Sequence, residues 1–174
     1  MSFTFNGVTA ESMGVRVLPY SRTFVPEQRA IRTIVQGRSG TYDFTDGSFG
    51  NGTITVPCQY WGSTAPSTIR QVAAWLNGTG QLIFDDEPDL YYQAQLWPGC
   101  ELSRMFYEDS FELSFVVFPF AFSAAQTLEF SLTASGGAAV FSVDGTAQTP
   151  CRLIITNTGT QTINNLMISH YTTE

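Results

Sequence analysis

A single stretch of helical periodicity, in a chain otherwise patterned for strands, narrows the choice of fold more than any other feature. Ile69, Val72, Ala73 and Leu76 recur at i, i+3, i+4 and i+7 and make one apolar stripe. The spacing predicts a helix that begins at Pro66 or Ser67, where proline's missing N–H costs nothing. It should stop at Asn77-Gly78, because glycine just past the last apolar position can take the left-handed conformation that closes the final carbonyls. About three turns of helix are marginal in water, so this one must lie on a sheet. The chain supplies sheet at once. Leu82, Ile83 and Phe84 form a short apolar run, Asp85, Asp86, Glu87, Pro88 and Asp89 an acidic turn, and residues 91–97 a second strand.

Strand patterning surrounds that unit. Phe3 and Phe5 alternate with polar neighbours, and Asn6-Gly7 offers a tight hairpin turn before Val8. Gly14 precedes another alternation, with Val15 and Val17 on one face and Arg16 on the other. Ile54, Val56, Cys58 and Tyr60 share a face over residues 53–60, where Pro57 argues for an edge or bulged strand because it lacks a ladder donor. The strongest strand is 110–118, with Phe111, Leu113, Phe115 and Val117 facing one way and Glu112 and Ser114 the other. A linker is expected over 123–137. Short strands are expected beyond it at 140–143, 152–156 and 166–169.

Between residues 19 and 52 the pattern loosens. Arg22, Arg29, Arg32 and Arg38 are interleaved with Phe24, Val25, Ile31, Ile34 and Val35, few of which look like core. An arm of this composition is poorly stable alone, yet it can pair edge to edge with a neighbouring copy; the plain alternative is a solvent-facing hairpin. The candidate interface set is Arg22, Arg29, Arg32, Arg38, Phe44 and Phe49. The glycine-rich run 43–52 lacks the alternating oxygen ligands of a calcium loop and reads as a flexible turn.

Composition excludes several functions. Eight basic residues, all arginine, stand against fifteen acidic ones, for a net charge of −7. That balance argues against nucleic-acid binding by phosphate neutralisation and suits a surface past which DNA moves without sticking. Arginine without lysine favours interfaces, since the planar guanidinium fork is enriched there. No apolar run reaches a membrane-spanning length, and the opening MSFTFNGV has no secretory pattern, which predicts folding in a cytoplasm. Cys58, Cys100 and Cys151 are then expected to be reduced and mostly buried, and with His170 the lone histidine a zinc site or a Cys-His nucleophile is not expected. The carboxylates of 85–89 read as a solvated turn, because paired catalytic carboxylates must face each other across a cleft. No catalytic residue, cofactor or metal ligand is assigned.

Particular residues also carry a resemblance. Trp75-Leu76-Asn77-Gly78-Thr79-Gly80, followed by Leu82 to Phe84 and then by Asp86, Pro88, Asp89, Tyr91 and Tyr92, resembles the amino-terminal domain of the siphophage distal tail protein family. Phe5-Asn6-Gly7-Val8, Met13-Gly14-Val15, the segment from Ile34 to Gly40 and the closing Pro119 aromatic cluster are similar to the same family. The resemblance covers about residues 3–122. It implies a ring-forming domain in which a long hairpin helps hold the ring together. The C-terminal region is similar to the opening strands of the galectin-like sandwich in longer members.

The expected fold is therefore mainly β: a β-sandwich with one short α-helix and a long β-hairpin arm over 1–122. A linker and an abbreviated or truncated galectin-like β-sandwich region follow over 123–174. The implied function is structural rather than enzymatic, a hexameric hub ring that joins the tail tube to the baseplate or tail fibre. Expected partners are its own copies, the tail tube protein and a tail-associated fibre or lysin, with neither membrane nor specific nucleic acid. The site of action would be the virion tail tip, after assembly in the bacterial host cytoplasm. Two alternatives are a carbohydrate-binding β-sandwich module using Trp61, Trp75 and Trp97, and a polysaccharide hydrolase using the 85–89 carboxylates.

Overall fold

A computed structural model describes residues 1–22, 24–63, 65–98, 110–131, 140–142, 145–147, 151–164 and 167–169. The chain divides into two compact units, Met1–Phe130 and Ser131–Glu174.

The first unit is a curled antiparallel sheet that wraps one helix. β1 (Phe3–Phe5) and β2 (Val8–Thr9) form a hairpin, a short 3-10 turn spans Glu11–Met13, and β3 (Val15–Val17) follows. β4 (Arg32–Ile34) and β5 (Thr41–Asp43) make a separate two-stranded ribbon. Then come β6 (Gly52–Tyr60), α1 (Pro66–Leu76), β7 (Thr79–Phe84), β8 (Leu90–Leu96), β9 (Phe111–Val117) and β10 (Phe122–Ser123). Among the described residues the large sheet has eight strands in the order β2-β1-β7-β8-β9-β6-β3, with β10 added beside β8. Every pairing in it is antiparallel.

One face of this sheet holds the core, because each strand's alternate residues point the same way. Phe3 and Phe5, Leu82 and Phe84, Ala94, Phe111 to Val117 at odd numbers, Ile54 to Cys58 at even numbers, and Val15 and Val17 are all buried. The helix adds Val72, Trp75 and Leu76. Ile69 and Ala73 are half-buried, so the buried stripe is turned toward Trp75 relative to the expected one. The reason is specific. Trp75 lies parallel to Phe3 with ring centroids 5.8 Å apart, and its indole Nε1–H donates to the Phe5 carbonyl at 2.8 Å. A buried tryptophan is well held when its one donor is satisfied in this way. The helix stops where expected, but Asn77 ends it: that residue is already extended at φ −80° and ψ 140° with its N–H on the Ala74 carbonyl, and Gly78 follows at φ 92° before β7.

Pro57 finds a different solution from the expected edge or bulge. β6 pairs with β9 from Gly52 opposite Val117 through Cys58 opposite Phe111. On its other side it pairs with β3 only over Cys58, Gln59 and Tyr60. The Pro57 carbonyl accepts from Leu18 N at 2.8 Å, so the nitrogen without a hydrogen faces the β3 side, where that strand has just ended. No β9 bond is lost. On the β3 side the strand is thus covered over its last three residues and open before them.

In the second unit the described residues form no strand; Leu153, Ile154, Ile155, Ile163 and Met167 are exposed. The strands expected at 140–143 and 152–156 are not found over the residues described, and Val143 and Leu166 lie outside them. A turn does form, with Gly159 N donating to Asn157 Oδ1 at 3.0 Å and Asn157 Nδ2 to the Gln161 carbonyl at 2.9 Å.

Candidate assembly interface

The ribbon β4–β5 is the outer part of an arm that leaves the body after β3 and returns into β6. Backbone bonds mark its two legs: Gly50 N to Glu27 O at 2.9 Å, a bridge between Gln28 and Phe49, Arg29 N to Ser48 O at 2.9 Å, and Phe44 N to Ile31 O at 2.8 Å. Arg32 then pairs with Asp43, Thr33 with Tyr42, and Ile34 with Thr41. The run 43–52, expected to be a flexible turn, is partly built of two Asx turns: Thr45 N donates to Asp43 Oδ1 and Ser48 N to Asp46 Oδ1, each at 2.9 Å. The side-chain hydroxyls of Thr45 and Ser48, and after them those backbone bonds, hold the Asp43 and Asp46 carboxyls below their usual range.

Register sorts the arm's side chains onto two faces, since directly opposed residues share a face and neighbours alternate. Ile31, Thr33, Tyr42 and Phe44 fall together, with the Tyr42 and Phe44 rings stacked at 6.4 Å. Arg32, Ile34, Thr41 and Asp43 fall on the other, where Arg32 Nε lies 3.6 Å from Asp43. The first face is apolar and open to solvent: Ile31 is 55% exposed and Phe44 63%. Arg38 reaches back to the Tyr42 hydroxyl, its guanidinium 5.8 Å from that ring's centre.

The six candidate residues therefore separate. Arg29, Arg32, Arg38 and Phe44 stand on the exposed arm. Phe49 is half-buried at the returning root, packed edge-on against Phe120 at 5.1 Å. Arg22 turns inward, its side chain only 5% exposed. Its guanidinium lies 4.3 Å from the centre of the Phe84 ring and 5.4 Å from that of Phe24, and it pairs with Asp86 and Glu87. The contact from Arg22 Nη1 to Glu87 Oε2 is 3.2 Å long, and neither buried atom is aligned for a hydrogen bond. Charge rather than a directed bond holds that half of the pair. Beside it Tyr20 packs on Phe84 at 5.8 Å; burial pushes its phenol up to about 12, with the Arg22 charge pulling the other way. Burial, with Glu87 next, also raises Tyr92.

The acidic turn is thus a receptor for the arm's root rather than merely a solvated loop. Asp85 lies 3.5 Å from the terminal amine of Met1, and Asp86 and Glu87 face Arg22. Three of the four carboxylates address cations, not one another. Among the described residues there is no cluster of His, Cys, Asp and Glu able to hold a metal, and no helix long and apolar enough to cross a membrane. Of the tryptophans proposed for sugar stacking, Trp75 is inside, while Trp61 and Trp97 are 71% and 65% exposed. Cys58 is buried as expected but Cys151 is exposed, because it lies in the second unit and outside the core. Cys100 and His170 lie outside the described residues.

Among the described residues the first unit is thus a curled antiparallel sheet carrying one helix, with an exposed two-stranded arm. Residues 14–117 match the family described as the phage tail protein RIFT-related domain, and the chain belongs to that family. Among solved structures, the SPP1 Dit (gp 19.1) protein is similar with a TM-score of 0.56 at 15% identity, over 70% of this chain and 51% of that one. That structure is described as a paradigm of the hub adsorption apparatus in phages infecting Gram-positive hosts. At that identity the likeness is one of fold, and this chain spans about half the length of its neighbour. No curated protein matches.

Proposed function

We propose that this chain is a structural subunit of a long non-contractile phage tail tip, six copies of which close into a hub ring joining the tail tube to the baseplate or tail fibre. The observation that carries the reading is the arm: a ladder-ordered ribbon that exposes Ile31, Tyr42 and Phe44 on one face and Arg32 on the other, with Arg29 and Arg38 also exposed on it. An isolated two-stranded ribbon is marginal by itself and gains stability when its apolar face is covered. In a closed ring each subunit contacts two neighbours, so modest contacts suffice.

The net charge of −7 supports an acidic lumen that lets DNA pass without binding. Partners in this reading are its own copies, the tail tube protein and a tail-associated fibre or lysin, and the protein acts in the virion after assembly in the host cytoplasm. Residues 1–122 serve as the ring domain, and 123–174 as linker and galectin-like remnant. The role is structural, without catalysis. Light scattering after size exclusion, with negative-stain images of the peak, tests it. A ring near six times 19.1 kDa supports the reading, and a monomer at every concentration and with tail tube protein present refutes it.

A further inference from the structure

We infer that Arg22 is the positioning residue of the arm, a clamp at its outgoing root that fixes the direction in which the ribbon is presented to a second copy of this chain. The inference rests on the arm being the self-contact, and it adds the device that sets the arm's angle.

The outgoing leg lacks the usual means of being held. Leu18 N donates to the Pro57 carbonyl at 2.8 Å, and the next backbone bond is the one received by the Glu27 carbonyl within the arm itself. Among the described residues, none from 19 to 26 is tied to the sheet by a backbone hydrogen bond. Side chains must supply the anchorage, and two do so on one spot: Tyr20 on Phe84, and Arg22 on Phe84, Asp86 and Glu87. Phe84 is itself 1% exposed and built into β7, so the anchor point is part of the rigid sheet.

Two features separate this pair from ordinary surface ion pairs, which contribute little. The Arg22 side chain is 5% exposed, and an aromatic ring 4.3 Å away adds attraction to its cationic plane. It also addresses two carboxylates at once, bonded to Asp86 and held to Glu87 by charge. The other leg is fixed by Phe49 against Phe120 at 5.1 Å. A ribbon held at both roots keeps its angle; one held at a single root can swing. The arm from Glu27 to Ile34 reaches about 25 Å at about 3.3 Å per residue. A swing of about 10° therefore moves its tip by about 4 Å, as far as one side-chain contact extends.

The test compares the full chain with Arg22→Gln, and with the double variant Asp86→Asn and Glu87→Gln, which removes the acceptor charges and leaves Arg22 in place. Limited chymotrypsin digestion reads release of the leg at Tyr20 and Phe24, and light scattering reads self-association. The expected result is a roughly tenfold faster cut in the leg, with thermal unfolding shifted by only a few degrees and about tenfold more protein needed for assembly. An unchanged cutting rate in both variants overturns the clamp. Should the unaltered chain stay monomeric at every concentration and with tail tube protein present, the ring reading falls, while the digestion still decides whether Arg22 holds the leg. If Arg22→Gln does not fold, the acceptor variant carries the comparison alone.

Discussion

Asn6 and Gly80 occupy the same small volume: a Cβ added to Gly80 would stand 1.7 Å from Asn6 Oδ1, the atom that accepts from Gln81 N at 3.3 Å. Asn6 is held at φ 51° in the turn between β1 and β2, so its side chain is aimed at β7 by the turn itself. Gly80→Ala is therefore expected to destabilise by about 1–3 kcal/mol, the usual range for overpacking. Asn6→Gly relieves the clash at a φ that glycine accepts freely. The double variant should then melt close to Asn6→Gly alone, with a coupling of about 1 kcal/mol or more in a thermal double-mutant cycle.

Trp75 offers a second check. Trp75→Phe leaves the Phe5 carbonyl without its indole partner and should cost about 1–3 kcal/mol, while Trp75→Ala should cost about 3–5. Because Trp61 and Trp97 are exposed, removing Trp75 should also take the blue component from the emission spectrum. Chemical denaturation followed by fluorescence measures both effects.

Alkaline pH should weaken the fold through Tyr20. Its folded pKa stands near 12 against an ordinary 10.0, so the unfolded chain loses the proton first and the folded one retains it. The contribution is present in full below pH 10 and is lost as pH rises toward 12. Tyr20→Phe cannot ionise and is expected to flatten the decline in melting temperature over that window.

On the arm, Phe44→Ser combined with Ile31→Ser should leave the melting temperature almost unchanged, because both residues are largely exposed. Sedimentation or light scattering should report weaker self-association, by tenfold or more, if this face is covered in the assembly.

Local periodicity made much of the body legible. Alternation in 53–60 and 110–118 and the stripe from Ile69 to Leu76 each report a neighbour's side, and those segments are a strand, a strand and a helix. Long-range pairing was not legible, because nothing local says that β1 sits beside β7 or that β3 caps the end of β6. The inward turn of Arg22 was not legible for the same reason. Its partner Asp86 lies 64 residues away, and it sits in the same stretch of chain as the exposed arginines. A signal did exist: Tyr20 and Phe24 flank it, and the acidic turn follows directly on the apolar Phe84. The apolar run Leu153-Ile154-Ile155 also suggested a strand, but such a run forms one only beside a partner strand, and the described residues there form none.

Pro57 has a consequence for growth of the sheet. Thr53 and Thr55 turn their backbone groups toward the side of β6 that β3 leaves uncovered, a short open margin on which a foreign strand could lie. Such a strand would meet the proline ring after a few residues and β3 directly beyond it. The margin is therefore terminated from within: it can accept a brief, registered addition but cannot template open-ended edge-to-edge polymerisation.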